Sequence, residues 1–141
     1  MASSPPKRRQ GVRRDAESAA LAKACARAAD DKKAEDVVIL DLRKLTAITD
    51  YFVIATAGNP RHIGAVTEAV VEEAKRLKAR PIGREGTETS GWVLLDFVDV
   101  VVHIFDGERR EIYDLGLLWG DAPRVKWRPR RKPPMNADER G

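Results

Sequence analysis

The first apolar block of this chain has the spacing of a helix. Apolar side chains recur on one helical face at Leu21, Ala24, Cys25 and Ala28. Alanine is the strongest helix former, and residues three or four positions apart share one face of a helix. The pattern predicts a helix over residues 17–32, in which Cys25 is a small buried hydrophobic residue.

Two short runs that follow are apolar at successive positions. They are Val37-Val38-Ile39-Leu40 and the stretch 51–57. Continuous apolar runs of this length are typical of strands that are covered on both faces. Because residues 43–50 are too few for a helix between the two strands, we expect them to run antiparallel.

A second helix is predicted after the second strand. Asn59 has the side chain of an N-cap, and Pro60 suits the first helical position. Apolar residues then recur with helical spacing over about five turns, at Ile63, Val66, Val70, Ala74 and Leu77. The stretch 81–91, rich in glycine and polar residues, is interpreted as a connection. The strand at 51–57, this helix and the next predicted strand, which begins at residue 92, therefore predict a right-handed βαβ crossover.

The next two apolar segments, 92–96 and 99–105, predict a β-hairpin. If Asp96 and Asp99 flank its turn, opposed residue numbers add up to 195 and Trp92 lies opposite His103. Alternation then gives the hairpin two faces. The aliphatic face, expected to be core, carries Val93, Leu95, Val100, Val102 and Ile104. The mixed face carries Trp92, Leu94, Val101, His103 and Phe105.

These elements predict an α/β fold with a mixed sheet of four or five strands and flanking helices. Leucine and aromatic residues between 113 and 119 are expected to close the domain with a short helix or turn. We place the domain at residues 16–123. Disordered basic tails are expected at 1–15 and 124–141, because proline and charged residues cannot bury enough apolar surface.

Charge is distributed unevenly along the chain. Lysine plus arginine total 26 against 22 acidic residues, yet residues 15–123 carry a net charge of −6 and each end of the chain a net charge of +5. Contacts with nucleic acid are therefore expected of the tails and not of the domain. A second interpretation, that the tails only keep the protein in solution, stays open.

Composition excludes several classes of protein. No apolar run approaches the roughly 20 residues that span a bilayer, and no signal-peptide core follows the basic start. A single cysteine excludes a disulfide framework. We expect a soluble, cytoplasmic protein without membrane partners, and import into an organelle stays open because the start of the chain lacks acidic residues.

The most enzyme-like group consists of Asp96, Asp99 and the nearby His103. Two carboxylates at the end of a sheet suit a magnesium ion that supports nucleotidyl transfer. Aspartates are also favoured in turns, where their side chains bond to nearby backbone, and no phosphate-binding loop or third carboxylate accompanies this pair. The turn interpretation is favoured. We predict no catalytic residue, metal or cofactor and keep a magnesium-dependent nucleotidyltransferase as the alternative.

Trp92 is the more informative residue. A tryptophan on a strand is most often part of the core, yet this hairpin already has an aliphatic face for that purpose. The mixed face must be covered by a helix or by another protein, and tryptophan is enriched among interface anchors. Core and partner binding are both open for this side chain.

A series of short motifs runs in order through roughly residues 18–123. The most specific are Asp50-Tyr51-Phe52-Val53-Ile54-Ala55-Thr56 and Trp92-Val93-Leu94-Leu95-Asp96. The others are Val38-Ile39-Leu40-Asp41-Leu42-Arg43, Glu85-Gly86, Asp99-Val100-Val101-Val102-His103, Tyr113-Asp114-Leu115 and Leu118-Trp119. This order resembles the ribosomal silencing factor family (RsfS, also called Iojap).

The resemblance implies a protein that is not an enzyme. Family members bind the large ribosomal subunit through ribosomal protein uL-fourteen and sterically prevent the small subunit from joining, which lowers translation. Their fold is similar to that of nucleotidyltransferases without the active site. Homodimers are common in the family, and its organelle relatives are linked to ribosome assembly.

The resemblance also implies a contact surface. The tryptophan strand of the family maps to Trp92, Leu94 and Asp96, and the hairpin alternation adds His103 and Phe105. We therefore predict five partner-binding residues on the mixed face. The basic tails are expected to add contacts to ribosomal RNA.

Two positions depart from the family pattern. Val98 stands where glycine is usual, so we expect the hairpin turn to avoid a positive φ and to be longer or rearranged. Gly116 stands where an acidic residue is common, which weakens any inference about the closing segment.

Overall fold

The computed structural model of the chain describes residues 7–112 and 122–128, with side chains from 15 to 111 and from 122 to 128. The helices and strands are α1 Lys7–Asp31, β1 Glu35–Asp41, β2 Tyr51–Thr56, α2 Pro60–Arg76, β3 Gly83–Thr87, β4 Trp92–Asp96, β5 Val100–Phe105 and α3 Gly107–Ile112. A single turn of 3₁₀ helix, Glu88–Ser90, precedes β4. The segment 113–119, predicted to close the domain, lies outside the described residues, as do 1–6 and 129–141.

The five strands form one mixed sheet in the order β1-β2-β5-β4-β3. β2 and β5 run parallel at its centre, and the other neighbouring pairs are antiparallel. Ile39 lies opposite Val53 and Asp41 opposite Tyr51, so the antiparallel pairing predicted for the first two strands is confirmed. The predicted mixed α/β fold is likewise confirmed, with five strands.

α1 and α2 pack against each other and against one face of the sheet. This face includes the aliphatic side of the hairpin, whose five residues are fully buried as predicted: Val93, Leu95, Val100, Val102 and Ile104. Cys25 of α1 is also fully buried, and desolvation raises the pKa of its thiol to about 12. The thiol is therefore protonated at neutral pH and acts as a packing group.

α2 begins as predicted. The Asn59 side-chain oxygen accepts a hydrogen bond from the backbone N–H of His62 at 2.8 Å, and Pro60 opens the first turn. Nδ1 of His62 accepts from the Gly58 N–H at 3.0 Å, while its Nε2 lies 2.7 Å from the Lys32 carbonyl oxygen. His62 therefore ties the end of α1 to the start of α2.

α1 is longer than the predicted helix over 17–32. It begins at Lys7, so helical backbone extends into residues 1–15, where composition predicts disorder. Lysine, arginine and glutamine have high helix propensity and continue the helix ahead of its alanine-rich part. Neither α1 nor another helix in the described part of the chain combines the length and apolarity that crossing a bilayer requires.

Part of the stretch 81–91 is a strand and not only the predicted connection. Gly83–Thr87 form the edge strand β3, in which Glu85 lies opposite Leu94 of β4. Charged residues and glycine suit an exposed edge, and for that reason no apolar pattern marks this strand. The crossover from β2 through α2 ends in β3, so the prediction that it ends in the strand 92–96 is wrong.

The hairpin register differs from the predicted one by two residues. Trp92 lies opposite Phe105, and Leu94 lies opposite His103. The predicted pairing of Trp92 with His103 is therefore wrong. Because the shift is an even number of residues, every side chain stays on its predicted face of the sheet.

The hairpin turn is also tighter than predicted. The backbone N–H of Phe97 donates to the Val100 carbonyl at 2.8 Å, and the N–H of Asp99 donates to the Phe97 carbonyl at 3.0 Å. The Asp96 carboxylate accepts from the Val98 N–H at 2.7 Å. Val98 has a φ of 75°, so the expectation that this turn avoids a positive φ is wrong.

We expect Val98→Gly to raise the free energy of unfolding by about 1 kcal/mol, because glycine adopts a positive φ without the steric cost of a β-branched side chain. The Val98 side chain is 49% exposed, so its removal uncovers little buried surface. Urea unfolding followed by circular dichroism measures the change. Val101→Gly, on a strand position without positive φ, is the control and should destabilise. A Val98→Gly variant that is less stable than the parent would show that the positive φ of Val98 carries no steric cost.

The C-terminal segment, residues 123–128, lies along the outer edge of β1. Arg124 forms an antiparallel bridge with Leu40, and the Val125 N–H donates to the Ile39 carbonyl at 2.9 Å. An edge strand leaves backbone groups without sheet partners, and this segment pairs with several of them. Ordered structure therefore continues past the domain boundary predicted at residue 123.

Asp41 and Arg43, from the motif Val38-Ile39-Leu40-Asp41-Leu42-Arg43, hold the end of β1. The Arg43 guanidinium donates to both carboxylate oxygens of Asp41, at 2.9 Å from Nε and 2.7 Å from Nη2. These hydrogen bonds hold the pKa of the Asp41 carboxyl below its usual range. The same guanidinium lies 5.5 Å from the ring centroid of Tyr51, a cation–π contact. This part of the motif has a structural role in the β1–β2 connection.

Candidate partner-binding face

The sheet face opposite α1 and α2 is the mixed face predicted from the hairpin. On β4 and β5, register pairs Trp92 with Phe105 and Leu94 with His103. β2 lies on the other side of β5, where Phe52 pairs with Val101 and Ile54 pairs with His103, so these two β2 residues continue the same face. The mixed face comprises Trp92, Leu94, Asp96, Val101, His103, Phe105, Phe52 and Ile54.

The indole of Trp92 belongs to an aromatic stack on this face. Its ring lies 5.9 Å from that of Phe105 and 6.3 Å from that of His103, with interplanar angles of 10° and 4°. Nε1 of the indole donates to Nδ1 of His103 at 3.4 Å. Phe52 adds an edge contact to His103 at 4.7 Å. These contacts fix the orientation of a side chain that is itself only partly buried.

His103 is uncharged at neutral pH. The residue is 6% exposed, and desolvation lowers the pKa of its imidazole from 6.5 to about 4. Nδ1 accepts the hydrogen bond from Trp92, which assigns the ring proton to Nε2. Nε2 is buried and has no hydrogen-bond partner in the described part of the chain. Protonation would therefore place an uncompensated charge inside the aromatic stack.

The five predicted partner-binding residues divide into two groups. Trp92, Leu94 and Asp96 on β4 are partly exposed. His103 and Phe105 are 6% and 1% exposed, so their side chains are not accessible and instead support the indole. Alternation along a strand assigns a residue to a face but not to a depth, so it cannot separate the accessible residues of this face from the buried ones.

Two further residues on the mixed face are partly exposed. They are Phe52 of β2 and Val101 of β5. Val101 was placed on this face by alternation, whereas nothing in the sequence singled out Phe52 as accessible. Phe52 comes near the hairpin only because β2 pairs with β5, a contact between segments about fifty residues apart.

Asp96 has a local structural role. Its carboxylate caps the hairpin turn by accepting from the Val98 N–H, as the turn interpretation predicts. Within the residues that the structure describes, no group of three or more histidine, cysteine, aspartate or glutamate side chains could hold a metal ion.

Gly86 permits the close pairing of β3 with β4. It has a φ of 81°, and a Cβ at this position would overlap the carbonyl oxygen of Trp92. Only glycine fits such a conformation and approach without strain. The Glu85-Gly86 motif therefore stands directly beside the strand that presents the indole.

These features define an α/β protein in which α1 and α2 cover one face of a mixed sheet and the other face carries a partly exposed indole. The family model described as "Ribosomal silencing factor during starvation" matches residues 15–140. The chain belongs to this family, RsfS, and the resemblance found in the motifs is confirmed.

Relatives in bacteria and plants agree with this assignment. The ribosomal silencing factor RsfS of Bacillus subtilis is 37% identical over 103 residues, which are 73% of this chain and 87% of that protein. The chloroplastic Iojap protein of Zea mays is 34% identical over 112 residues, 79% of this chain and 49% of that one. A crystal structure from Chromobacterium violaceum matches with a TM-score of 0.68 and 35% identity, covering 71% of this chain and 83% of the other.

Proposed function

We propose that the chain binds the large ribosomal subunit through ribosomal protein uL-fourteen and prevents the small subunit from joining, which represses translation. Family membership supports the ribosome as partner and translation as the regulated process. The observation that carries the proposal is the partly exposed Trp92, backed by buried aromatic rings on the mixed face. The role is not enzymatic, and we assign it to the cytoplasm of a bacterium.

The proposed contact surface is centred on Trp92 and Leu94. Asp96 lies at one end of it, and Phe52 and Val101 lie beside it. An aromatic and aliphatic centre with polar groups around it is the usual composition of a protein interface. Because the indole is already held by its neighbours, binding costs little of its conformational freedom.

A standard interface buries about 800 Å² on each partner, more than a single strand offers. We therefore include β3 in the footprint, since its Glu85 and Thr87 are exposed beside Leu94 and Trp92. The net charge of −6 over residues 15–123 favours approach to a basic ribosomal protein. Such charge complementarity raises the rate of association more than the final affinity.

A role in building the large subunit is a second candidate. A mouse relative, 33% identical over 91 residues, is named "Mitochondrial assembly of ribosomal large subunit protein 1". Its match covers 62% of this chain and 40% of that protein. Silencing and assembly both require binding to the large subunit, so the two functions differ in the consequence of binding.

Sedimentation with separated ribosomal subunits tests the proposal. The purified chain should pellet with large subunits and not with small ones, and preincubation should reduce the amount of joined ribosome on a sucrose gradient. Pelleting with large subunits without an effect on joining would favour the assembly role. Pelleting with neither subunit would reject both. We also propose that the chain forms a homodimer, as the family resemblance implies. Analytical ultracentrifugation of the free chain tests this.

A further inference from the structure

A groove lies between α1 and the C-terminal segment, on the opposite side of β1 from β2. It has a volume of about 650 Å³. Its polar lining consists of cations only: Lys23, Arg27, Arg124, Lys126 and Arg128. The apolar lining comes from β1 and from Val125 and Trp127. We call this feature the basic groove.

Two different chain segments build the basic groove. Lys23 and Arg27 are one turn apart on α1 and so share a helix face. Arg124, Lys126 and Arg128 alternate with Val125 and Trp127 in an extended segment, and alternate residues of such a segment lie about 6.6 Å apart on one side. The groove therefore exists only because the C-terminal segment is attached to β1.

The five cations of the basic groove are not neutralised by the part of the chain that the structure describes. None of them forms an ion pair with any carboxylate that the structure describes, and no carboxylate lines the groove. Lys23 and Arg27 belong to the region 15–123, whose net charge is −6, while the other three cations come from the basic stretch that follows it. Concentrated positive charge beside an acidic body is the electrostatic pattern of a site for a polyanion.

An aromatic ring favours RNA over an acidic peptide as that polyanion. Trp127 lines the groove, and its Nε1 donates to the Val37 carbonyl at 3.3 Å, which holds the ring in place. Grooves that bind single-stranded nucleic acid combine cations along the backbone with aromatic rings on which bases stack. Three of the five cations are arginines, which bind phosphate through two parallel hydrogen bonds.

We propose that the basic groove binds a single-stranded segment of RNA, with phosphates on its five cations and a base against Trp127. The inference deepens the proposed function, because it assigns the ribosomal RNA contact to a defined site. It places that contact on the edge of the sheet at β1, whereas the mixed-face residues of β4 contact protein. The chain would then hold the ribosome through two separate surfaces.

The test is fluorescence anisotropy with a labelled 12-nucleotide single-stranded RNA and the full chain, across a series of potassium chloride concentrations. The groove variant combines Lys23→Gln, Arg27→Gln, Arg124→Gln and Lys126→Gln. A control variant removes two lysines and two arginines from exposed positions elsewhere: Lys44→Gln, Arg61→Gln, Lys78→Gln and Arg80→Gln. Both variants should keep the circular dichroism spectrum and thermal midpoint of the parent.

The groove variant should bind the RNA at least tenfold more weakly in 100 mM salt. The slope of log affinity against log salt should become shallower by about three, because each lost phosphate contact on a single strand removes about 0.7. The control variant should keep the slope of the parent. An unchanged slope in the groove variant, or an equal loss in the control, would overturn the proposal. So would displacement of the RNA by polyglutamate at equal charge concentration, which would assign the groove to an acidic protein.

This test separates the groove from the proposed function. If the parent chain does not pellet with large subunits but the groove variant loses RNA affinity, the proposed function fails and the groove is retained. If pelleting depends on Trp92 while the groove variant binds RNA as the parent does, only the groove proposal fails.

Discussion

Trp92→Ala is expected to weaken binding to the large ribosomal subunit by at least about 30-fold, the effect of losing an interface anchor worth 2 kcal/mol or more. The indole is the largest accessible side chain on the mixed face, and stacking on Phe105 holds it in one orientation. Alanine removes both the apolar surface and the ring that the partner would contact. Cosedimentation over a range of subunit concentrations measures the loss.

A control must separate lost contact from lost stability. Trp92 packs against buried residues, so its truncation also lowers the free energy of unfolding, by about 1–2 kcal/mol for a partly buried aromatic side chain. Val93→Ala on the same strand removes a fully buried methyl pair from the opposite face. That variant should be destabilised by a similar amount and still bind large subunits. Trp92→Ala that binds within threefold of the parent would reject the proposed surface.

The stability of the chain should fall by about 3 kcal/mol through His103 alone as the pH is lowered from 7 to 4. The imidazole has a pKa of about 4 in the folded chain and 6.5 when unfolded. Above pH 6.5 both states are neutral and the contribution to stability is complete. Below 6.5 the unfolded state takes up a proton that the folded state does not, so stability is lost down to the folded pKa.

His103→Phe isolates this contribution. Phenylalanine keeps an aromatic ring between Phe52 and Trp92 but cannot titrate, so the loss of unfolding free energy between pH 7 and pH 4 should be about 3 kcal/mol smaller than in the parent. Urea unfolding at both pH values gives the four free energies needed. Because carboxylates titrate in both proteins, their effects cancel in the difference. Equal losses in parent and variant would show that His103 is solvated.

Most of the fold could be predicted because the periodicities of its elements are strong. α2 carries a clear 3–4 spacing and an Asn-Pro start, and its cap and first turn are as predicted. β2 is apolar at nearly every position because both of its faces are buried. In these elements local pattern and tertiary packing favour the same structure.

The mispredicted strands and turns lie at the edges of the sheet and in the hairpin, and neither the early start of α1 nor the short helix α3 was predicted. β3 has the sequence Gly-Arg-Glu-Gly-Thr, which contains no apolar residue and forms a strand only because β4 supplies partners. The hairpin turn was placed by its aspartates, whereas the register is set by side-chain packing and by the Asp96 cap. In the segment 124–128, polar and apolar residues alternate as in a strand, and prolines nearby obscured that signal.

The candidate site, like the fold, was predicted only in part. Motifs and alternation identified the family and assigned Trp92, Leu94 and Asp96 to one face, since side-chain direction follows from parity along a strand. Which of the face residues are accessible was not predictable. Burial of His103 and Phe105 depends on β2 lying beside β5, a contact that no local pattern contains.

By itself, the sequence determined α2, the alanine-rich part of α1, the central strands, the aliphatic face of the hairpin and the family, because periodicity and motif order are properties of neighbouring residues. The tertiary structure decided the depth of each side chain on the mixed face and the pKa of His103, because desolvation depends on every segment that surrounds a group. It also decided that cations about a hundred residues apart, on α1 and in the C-terminal segment, line one groove.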